Sequence, residues 1–562
     1  MQYIIGIDIG TTNTKAVAFT DQGEVLGSAG ASYPVFSDPS GRHELDPDQL
    51  LAAFLTVLRE IREQPLDREG SAGGRESLAG IRDGLAGVKE GLAGIREGLT
   101  GIGEGLAGIS FSCAMHSLIA VDGKGRPLTR AITWADRRSE AYATALKASE
   151  AGRRIYRRTG TPIHPMSPLS KLLWLKDKEP GIFRDAARFI SIKEYIWWRL
   201  SGQYEVDHSI ASATGLLDIY TFDWYPEALE LAGIRSEQLS TPVPCTHVMS
   251  SLLPEYQRSL GLPEGLAFII GGSDGCLANL GSGALLPGET ALTIGTSGAV
   301  RMTAAKPEYD PKERIFNYIL TERLYVAGGA TNNGGNAVQW YIEQFLGEKG
   351  DTAVWLAEAD GVAPGCEGLV FLPYLLGERA PVWDAEARGM FFGIRSIHEQ
   401  RHFMRSVLEG ISFSLYQIGA SLEETIGPIQ HIYASGGFTR SATWLQMIAD
   451  VFLKKVYVTG VADASAIGAC IMGFYALGIL RQPGAGAELA RGPEGGARVV
   501  PAGGLEGGPA GGPEGRQAGG PEGGGRLIRV KDVYEPNEAR HRIYQENFMV
   551  FSVLYDRLKD LM

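Results

Sequence analysis

The first apolar pattern in the chain is a run of isoleucines that ends in small polar residues. Isoleucine at positions 4, 5, 7 and 9 is β-branched and predicts one buried strand that ends at Gly10. Residues 16–19 predict a return strand, and the Thr-Thr-Asn-Thr sequence at 11–14 lies at the tip of the resulting hairpin. Such a tip can cradle phosphate oxygens, and Asp8 beside it can hold a hydrated magnesium ion. The alternative is a buried edge strand followed by an ordinary turn.

The same strand-and-turn pattern returns in the second half of the chain. Residues 290–298 predict an apolar strand followed by a Gly-Thr-Ser-Gly turn. Residues 267–270 predict another buried strand, which is followed by a turn of small residues that contains Asp274. The recurrence predicts two similar α/β domains that close on one nucleotide, with the boundary near residues 280–290. We place the domains at 1–283 and 284–562. Asp274 is either a functional carboxylate or the N-cap of a helix.

Helical periodicity is clearest in two places. Asp46 is a plausible N-cap with Pro47 in the first turn, and apolar residues recur at helical spacing after them. A terminal helix has core-facing spacing at Phe548, Phe551, Leu554 and Leu558.

Two glycine-rich segments interrupt this pattern. A seven-residue unit of the type LAGIREG recurs from residue 78, and residues 483–526 carry GGPEG-like repeats. Heptad spacing of Leu and Ile invites a coiled-coil interpretation, but each glycine costs about 1 kcal/mol in a helix interior. We therefore expect a mobile surface loop at about 65–105 and disorder at about 483–526.

Composition restricts the class of protein. With 562 residues the chain is too long for a single core, and its 44% hydrophobic and 21% charged residues are ordinary for a globular protein. A formal net charge of −12 argues against a nucleic acid or a membrane surface as the main partner. Five scattered cysteines without a CxxC pair favour reduced thiols. The chain also begins directly with a strand and has no membrane-length apolar run, so we expect a cytoplasmic protein.

The chemistry that these parts support is phosphoryl transfer. The chain has no GxxxxGK[ST] sequence and no strand–GxGxxG–helix unit, which excludes a P-loop and a dinucleotide fold. A phosphate hairpin with an aspartate, a second phosphate turn and a separate carboxylate remain. Transfer of a phosphoryl group to an alcohol uses backbone amides and Mg²⁺ on the phosphates and a carboxylate that accepts the hydroxyl proton.

The ordered motifs carry a family resemblance. IGIDIGTTNTKA, GGSDG, TIGTSG and ASGG, together with segments at 166–177 and 389–409, resemble the FGGY family of carbohydrate kinases. The resemblance covers nearly all of the chain except 65–105 and 483–526. It implies an α/β, two-domain actin-like (ribonuclease H-like) ATPase fold with an interdomain cleft, and ATP and Mg²⁺ as cofactors.

Within this family, the segments around residues 114–118, 133–139, 159–166 and 207–215 are most similar to gluconate kinases. The resemblance therefore implies that ATP and D-gluconate give ADP and 6-phosphogluconate. The Met-His pair at 115–116 and the Trp-x-Asp sequence at 134–136 also resemble xylulose kinases, which leaves xylulose or another sugar or polyol as the alternative substrate.

Site residues follow from the same resemblance. It implies Asp274 as the general base, Asp8 at Mg²⁺, and His116, Trp134 and Asp136 against the polyol. The residues implied at the nucleotide are Gly10, Thr11, Thr12, Asn13, Lys15, Thr296, Gly335, Gln339, Gly437 and Ser441. For His116 the alternative is a core histidine beside a buried methionine.

A gluconate site also needs a cation for the substrate carboxylate. Arg137, Arg138, His164 and Lys171 are the candidates, and Arg137 is the first choice because an arginine fork suits a carboxylate. Arg138 is equally explained as a solvated charge at a helix start.

The same fold also serves proteins in which nucleotide turnover drives binding to another protein. A non-catalytic, actin-like nucleotide-dependent binding protein is therefore the alternative from another class. A homodimer is expected from the family resemblance alone.

Overall fold

The protein is described by a computed structural model that covers residues 1–64, 105–249, 251–346, 352–480 and 527–562. The loop expected at about 65–105 and the disorder expected at about 483–526 fall almost entirely outside the described residues.

The first half of the chain alternates strands and helices. Its strands are β1 Tyr3–Ile9, β2 Asn13–Thr20, β3 Val25–Ser32, β4 Phe36–Ser37, β5 His43–Leu45, β6 Leu106–Cys113, β7 Ile119–Val121, β8 Ala131–Ile132, β9 Arg188–Ile190, β10 Glu205–Asp207, β11 Leu217–Asp218, β12 Asp223–Trp224, β13 Thr241–Val243, β14 Val248–Met249 and β15 Ala267–Ser273. Its helices are α1 Pro47–Glu63, α2 Glu140–Lys147, α3 Glu150–Thr159, α4 Pro168–Lys178, α5 Pro180–Asp185, α6 Ile192–Ser201, α7 His208–Ser212, α8 Pro226–Ala232, α9 Pro254–Leu260 and α10 Asp274–Gly281.

The second half has fewer and longer helices. Its strands are β16 Glu289–Ile294, β17 Gly298–Ala304, β18 Phe316–Thr321, β19 Leu324–Thr331, β20 Val370–Leu372, β21 Met390–Phe392, β22 His431–Ser435, β23 Val456–Val458 and β24 Asp532–Tyr534. Its helices are α11 Gly335–Tyr341, α12 Thr352–Asp360, α13 Gln400–Thr425, α14 Ala442–Phe452, α15 Ala464–Ala476 and α16 Glu538–Leu558. Short 3-10 helices span Ser236–Gln238, Cys366–Gly368, Gly437–Arg440 and Lys559–Leu561, and one π-helical turn spans Ile342–Leu346.

Two large sheets share a core strand arrangement, and the second has one additional strand, β18, at its edge. The first has the order β3-β2-β1-β6-β15-β14, in which β1 to β3 are antiparallel and β6 and β15 run parallel to β1. The second has the order β18-β19-β17-β16-β22-β23-β24, with β16, β17 and β19 antiparallel and β22 and β23 parallel to β16. This duplication confirms the two similar α/β units predicted from the recurring strand-and-turn pattern.

Helix α1 begins as the sequence predicts. The Asp46 side chain accepts hydrogen bonds from the backbone N–H groups of Asp48 and Gln49, and Pro47 occupies the first turn. Leu50, Phe54 and other apolar residues of the helix are buried against the first sheet. The terminal helix α16 likewise buries Phe551 and Leu554, while Phe548 and Leu558 are partly buried against the same core.

Helix α15 connects the two halves, because it follows β23 of the second sheet in sequence but packs on the first sheet. A Cβ atom at Gly6 of β1 would lie 2.0 Å from the backbone oxygen of Ala466, so glycine is needed for the strand to approach this helix. Helix α15 also packs closely on α10. A Cβ atom at Gly468 would lie 1.9 Å from the oxygen of Leu277, and one at Gly281 would lie 1.9 Å from that of Ala464.

No described helix combines the length and the apolar character that crossing a membrane requires. All five cysteines are free and buried.

Candidate active site

The hairpin tip between β1 and β2 lies at the cleft between the halves. The Gly10 N–H donates to the Asn13 oxygen over 3.0 Å, and the Tyr33 hydroxyl donates to the Gly10 oxygen over 2.6 Å. Thr12 at the tip is exposed, and Thr11 lines a cavity in the cleft. Lys15 forms an ion pair of 2.7 Å with Asp463, which connects the hairpin to the second half. The tip therefore offers hydroxyls and a cation at the mouth of the cleft.

Asp8 lies directly behind this tip. Its Oδ1 accepts a hydrogen bond of 2.7 Å from the Ser112 hydroxyl, and none of the ion pairs in the described part of the chain includes it. Its enclosed position, and then the nearby Asp274, raise the pKa of Asp8 to about 7. A bound cation would stabilise the charged form of such a buried carboxylate. Mg²⁺ is commonly held by one or two carboxylates plus phosphate oxygens, so the site fits the ion although the described residues contain no cluster of three metal-ligating side chains.

The second turn, between β16 and β17, faces the first. Its Thr296 is exposed, and the Thr296 backbone oxygen accepts hydrogen bonds from the Gly334 and Asn336 N–H groups over 3.2 and 3.1 Å. A Cβ atom at Gly335 would lie 2.7 Å from the Gly295 oxygen, so this glycine lets α11 start against the turn.

The remaining predicted nucleotide residues lie around this turn. Gln339 donates to Glu343 over 2.6 Å on the exposed side of α11. Gly437 opens a short 3-10 helix after β22, and Ser441 caps α14 by accepting a hydrogen bond from the Trp444 N–H. The fold thus brings both predicted phosphate turns to one cleft, whereas Ser441 already has a local structural partner.

Asp274 is the first residue of α10 and is not its N-cap. The Ser273 hydroxyl caps the helix by accepting from the Cys276 N–H, which excludes the alternative that the sequence left open for Asp274. The Asp274 carboxylate reaches the cavity, with Oδ1 accepting the Gly275 N–H over 2.7 Å. Enclosure raises the pKa of Asp274, and the nearby Arg301 opposes that rise. The backbone N–H groups of Gly275 and Met115 also oppose the rise, and the carboxylate lies where a substrate hydroxyl in the cavity could reach it.

A cavity of about 250 Å³ lies between Asp274 and the second sheet. Thr11, Met115, His116, Trp134 and Asp274 line it from the first half. From the second half it is lined by residues that include Ser297, Ala299, Arg301, Tyr318, Arg379 and Trp383. Three of the predicted substrate residues, His116, Trp134 and Asp274, thus share one cavity.

His116 is held in an unusual conformation. Its φ of 68° lies in the left-handed region, which residues other than glycine adopt mainly where surrounding contacts enforce it. The buried Lys171 donates to the His116 oxygen, and His116 Nδ1 lies 2.7 Å from the Ala213 oxygen. Burial lowers the pKa of His116 to about 3, so the ring is neutral and its proton lies on Nδ1, facing that carbonyl. Nε2 is then an acceptor, and it faces the Tyr318 hydroxyl at 3.4 Å on the cavity side.

Two predicted substrate residues do not line the cavity. Asp136 is buried, and its Oδ2 accepts the His43 N–H over 2.9 Å and the Arg138 Nε–H over 3.0 Å. Arg137 points outward and pairs with Glu386 over 2.6 Å and Glu140 over 3.0 Å. The structure therefore does not place either side chain against the sugar cavity. Adjacent residues of the 134–138 segment point in different directions.

The other candidate cations also have structural partners. Arg138 pairs with Asp136 and Glu44. His164 packs edge-on against Trp383 with 5.5 Å between ring centroids. Lys171 Nζ donates to the backbone oxygens of His116 and Met166. None of the four cations proposed from the sequence is a cavity-lining side chain.

Two arginines that the sequence reasoning missed do reach the cavity. Arg301 lies on β17 opposite Gly328, and Arg379 lies with its guanidinium 4.9 Å from the Trp134 ring. Neither forms an ion pair within the described residues, and the Nε of each is buried without a hydrogen-bond partner. The sequence does contain a sign of Arg301, because it is the only charged residue in the apolar strand sequence GAVRMTA.

Two similar α/β halves, two predicted phosphate turns and a carboxylate at a shared cavity match the arrangement expected of a two-domain, ATP-dependent sugar kinase. Comparison with known proteins specifies the family. The model of the N-terminal domain of FGGY carbohydrate kinases matches residues 3–72 and 100–281, and that of the C-terminal domain matches residues 290–477. The chain belongs to the FGGY family of carbohydrate kinases.

Individual relatives agree with this assignment. A gluconokinase of Bacillus licheniformis is 41% identical over 486 residues, which are 85% of this chain and 88% of the relative. Among solved structures, a gluconate kinase of Lactobacillus acidophilus has a TM-score of 0.81 at 30% identity and covers 99% of this chain and 98% of its own. A ligand-bound xylulose kinase of the same organism has a TM-score of 0.81 at 30% identity, with 100% and 99% covered.

Proposed function

We propose that this kinase transfers the γ-phosphoryl group of ATP to D-gluconate and forms 6-phosphogluconate. The observation that carries the proposal is the position of Asp274, whose carboxylate reaches a cavity that also contains Thr11 of the first phosphate turn and Ser297 of the second. The choice of gluconate is supported by the gluconokinase relatives. Xylulose remains the alternative substrate.

Asp274 would act as the general base. The substrate hydroxyl oxygen attacks the γ-phosphorus, the bond from that phosphorus to the ADP oxygen breaks, and the hydroxyl proton passes to Asp274. The hydrogen-bonded pair of His116 and Tyr318 would offer polar contacts to a second hydroxyl of the sugar, and the Trp134 ring would supply a flat apolar wall. These contacts would keep the reacting oxygen in line, and positioning is a major source of rate in phosphoryl transfer.

The two turns would hold the nucleotide. Residues 10–13 and Lys15 would contact the phosphates from the first half, and Thr296, Gly335, Gln339 and Gly437 from the second. Ser441 would lie beside the nucleotide because it follows the 3-10 helix that begins at Gly437. Asp8 would hold Mg²⁺, which neutralises phosphate charge when bound.

Further properties belong to the same proposal. We place the domain boundary at 283/284, although α15 packs on the first sheet. The free, buried cysteines support a cytoplasmic location. A homodimer is proposed on family resemblance, and light scattering would test it.

A coupled assay of ADP release tests the reaction. It compares gluconate, xylulose, ribulose and glycerol with wild type, with Asp274→Asn and with Asp185→Asn, an exposed control on α5. We expect gluconate to give the highest kcat/KM and Asp274→Asn to lose 10²-fold or more, since a general base contributes about 10²–10⁴-fold. Asp274→Asn activity within about tenfold of wild type would contradict the base assignment. Turnover of none of the sugars would favour a nucleotide-dependent binding protein.

A further inference from the structure

We propose that Arg301 and Arg379 together bind the carboxylate of the sugar-acid substrate and so select an aldonate over a neutral sugar. The inference rests on the proposed function and names the residues that would set its specificity.

The charge balance of the cavity supports this assignment. Two guanidinium groups reach one cavity of about 250 Å³, and neither has an ion-pair partner in the described part of the chain. Each Nε is buried and lacks a hydrogen bond. Unpaired charge in an enclosed site is costly, and an anion bound between the two groups would remove that cost.

The neighbouring carboxylates provide only part of this balance, because Asp274 and Glu378 lie near Arg301 and Arg379 without forming an ion pair with either among the described residues. Glu378, next to Arg379 in the chain, accepts from the Thr331 hydroxyl over 2.7 Å and from the Asn332 N–H over 3.2 Å. It also accepts the backbone N–H of Arg379 and not its guanidinium. Asp274 accepts the Gly275 N–H and forms no ion pair with Arg301 within 4.0 Å among the described residues. Both guanidinium groups thus remain able to bind an anionic ligand.

Both arginines are also held in place before a substrate binds. Arg379 Nη2 donates to the Thr331 oxygen over 3.1 Å, and its guanidinium lies over Trp134, the wall against which the sugar would lie. Arg301 is fixed on a central strand, and its Nε would be 3.2 Å from a Cβ at Gly275, so the absence of a side chain there leaves it room. A planar guanidinium held in this way matches a carboxylate through two parallel hydrogen bonds.

The position of Arg301 along β17 indicates which of the two substrates it contacts. Arg301 is three residues beyond Gly298, where β17 leaves the phosphate turn. At about 3.3 Å per residue this places it about 10 Å along the strand from the turn. Arg301 therefore lies at the sugar side of the cavity and not at the phosphates.

Steady-state kinetics with Arg301→Met and Arg379→Met test the proposal, with Arg137→Met as a control, because Arg137 points away from the cavity. We expect each cavity variant to raise the gluconate KM by about 10- to 100-fold, the typical value of a lost charged hydrogen bond, with the ATP KM unchanged. Calorimetric titration of gluconate without ATP should show the same loss of affinity. Arg301→Lys and Arg379→Lys keep the charge but lose the fork, so we expect intermediate values and folded protein.

The outcomes separate the two proposals. If wild type turns over gluconate but all four cavity variants keep its KM within threefold, the carboxylate assignment is wrong and the kinase function stands. A rise in the ATP KM equal to that for gluconate would move the arginines to the phosphates and would also overturn the assignment. Turnover of xylulose without turnover of gluconate by wild type overturns the proposed substrate and this inference with it.

Discussion

Replacing Gly468 by alanine should displace Asp274 by separating helices α10 and α15. The new Cβ atom would lie 1.9 Å from the Leu277 oxygen and 2.6 Å from its carbonyl carbon, and both are backbone atoms that cannot rotate away. Ordinary contact between such atoms requires about 3.5 Å, so the helices must separate by on the order of 1 Å. Overpacking costs about 1–3 kcal/mol, and alanine regains about 1 kcal/mol of helix propensity. We expect a net loss of up to about 2 kcal/mol and a fall in Tm of a few degrees.

The same displacement should reduce turnover. Leu277 is one helical turn from Asp274, and a misplacement of 1 Å can cost about 10²-fold in rate. We therefore expect kcat of Gly468→Ala to fall by about 10- to 100-fold in the ADP-release assay. The matched control is Gly181→Ala on α5, where a Cβ meets nothing within 4 Å and where Tm and kcat should not fall. Wild-type Tm and kcat in Gly468→Ala would refute the reasoning.

Three further results are expected at the cleft. Lys15→Met removes a partly exposed ion pair with Asp463, so Tm should change little, but the ATP KM should rise by about tenfold or more while the gluconate KM stays constant; an unchanged ATP KM would remove Lys15 from the phosphate site. Chelation of Mg²⁺ by EDTA should abolish turnover, and Asp8→Asn should raise the Mg²⁺ concentration needed for half-maximal rate; equal Mg²⁺ dependence in both proteins would contradict the role of Asp8. Since burial raises the pKa of Asp274, the acid limb of kcat/KM should lie above the usual carboxylate range, with activity lost as pH falls through that pKa. The stability linked to the protonated carboxyl is lost as pH rises through the same pKa, so Asp274→Asn should melt at a higher temperature than wild type at pH 8 while having lost turnover; a lower Tm would contradict the linkage.

The sequence predicts features that depend on local pattern. The hairpin from β1 to β2 and the turn from β16 to β17 each combine a β-branched strand with a glycine turn, and both are found where the pattern places them. Asp274 also keeps its predicted place at a strand end. Its competing explanation as an N-cap fails because the hydroxyl of the preceding residue, Ser273, already caps the helix.

Features that depend on side-chain direction could not be predicted in the same way. Trp134, Asp136 and Arg137 are neighbours in sequence, yet the first faces the cavity, the second is buried beneath the segment and the third pairs with Glu386 outside it. Arg379 lies in a loop whose relation to Trp134 is set by the packing of the two halves, and no local pattern reports that contact. A single arginine within an apolar strand, as at residue 301, was the informative signal.

The packing of α15 has a consequence for how the chain folds during synthesis. Ile4, Val17 and Phe19 on the first sheet share a core with Ile467, Cys470 and other residues of α15. A nascent chain that ends near residue 283 has therefore completed its first sheet in sequence but still exposes one apolar face of it to solvent. That face is covered only after residue 476 has left the ribosome, so residues 1–283 expressed alone should aggregate unless a segment carrying α15 is supplied in trans.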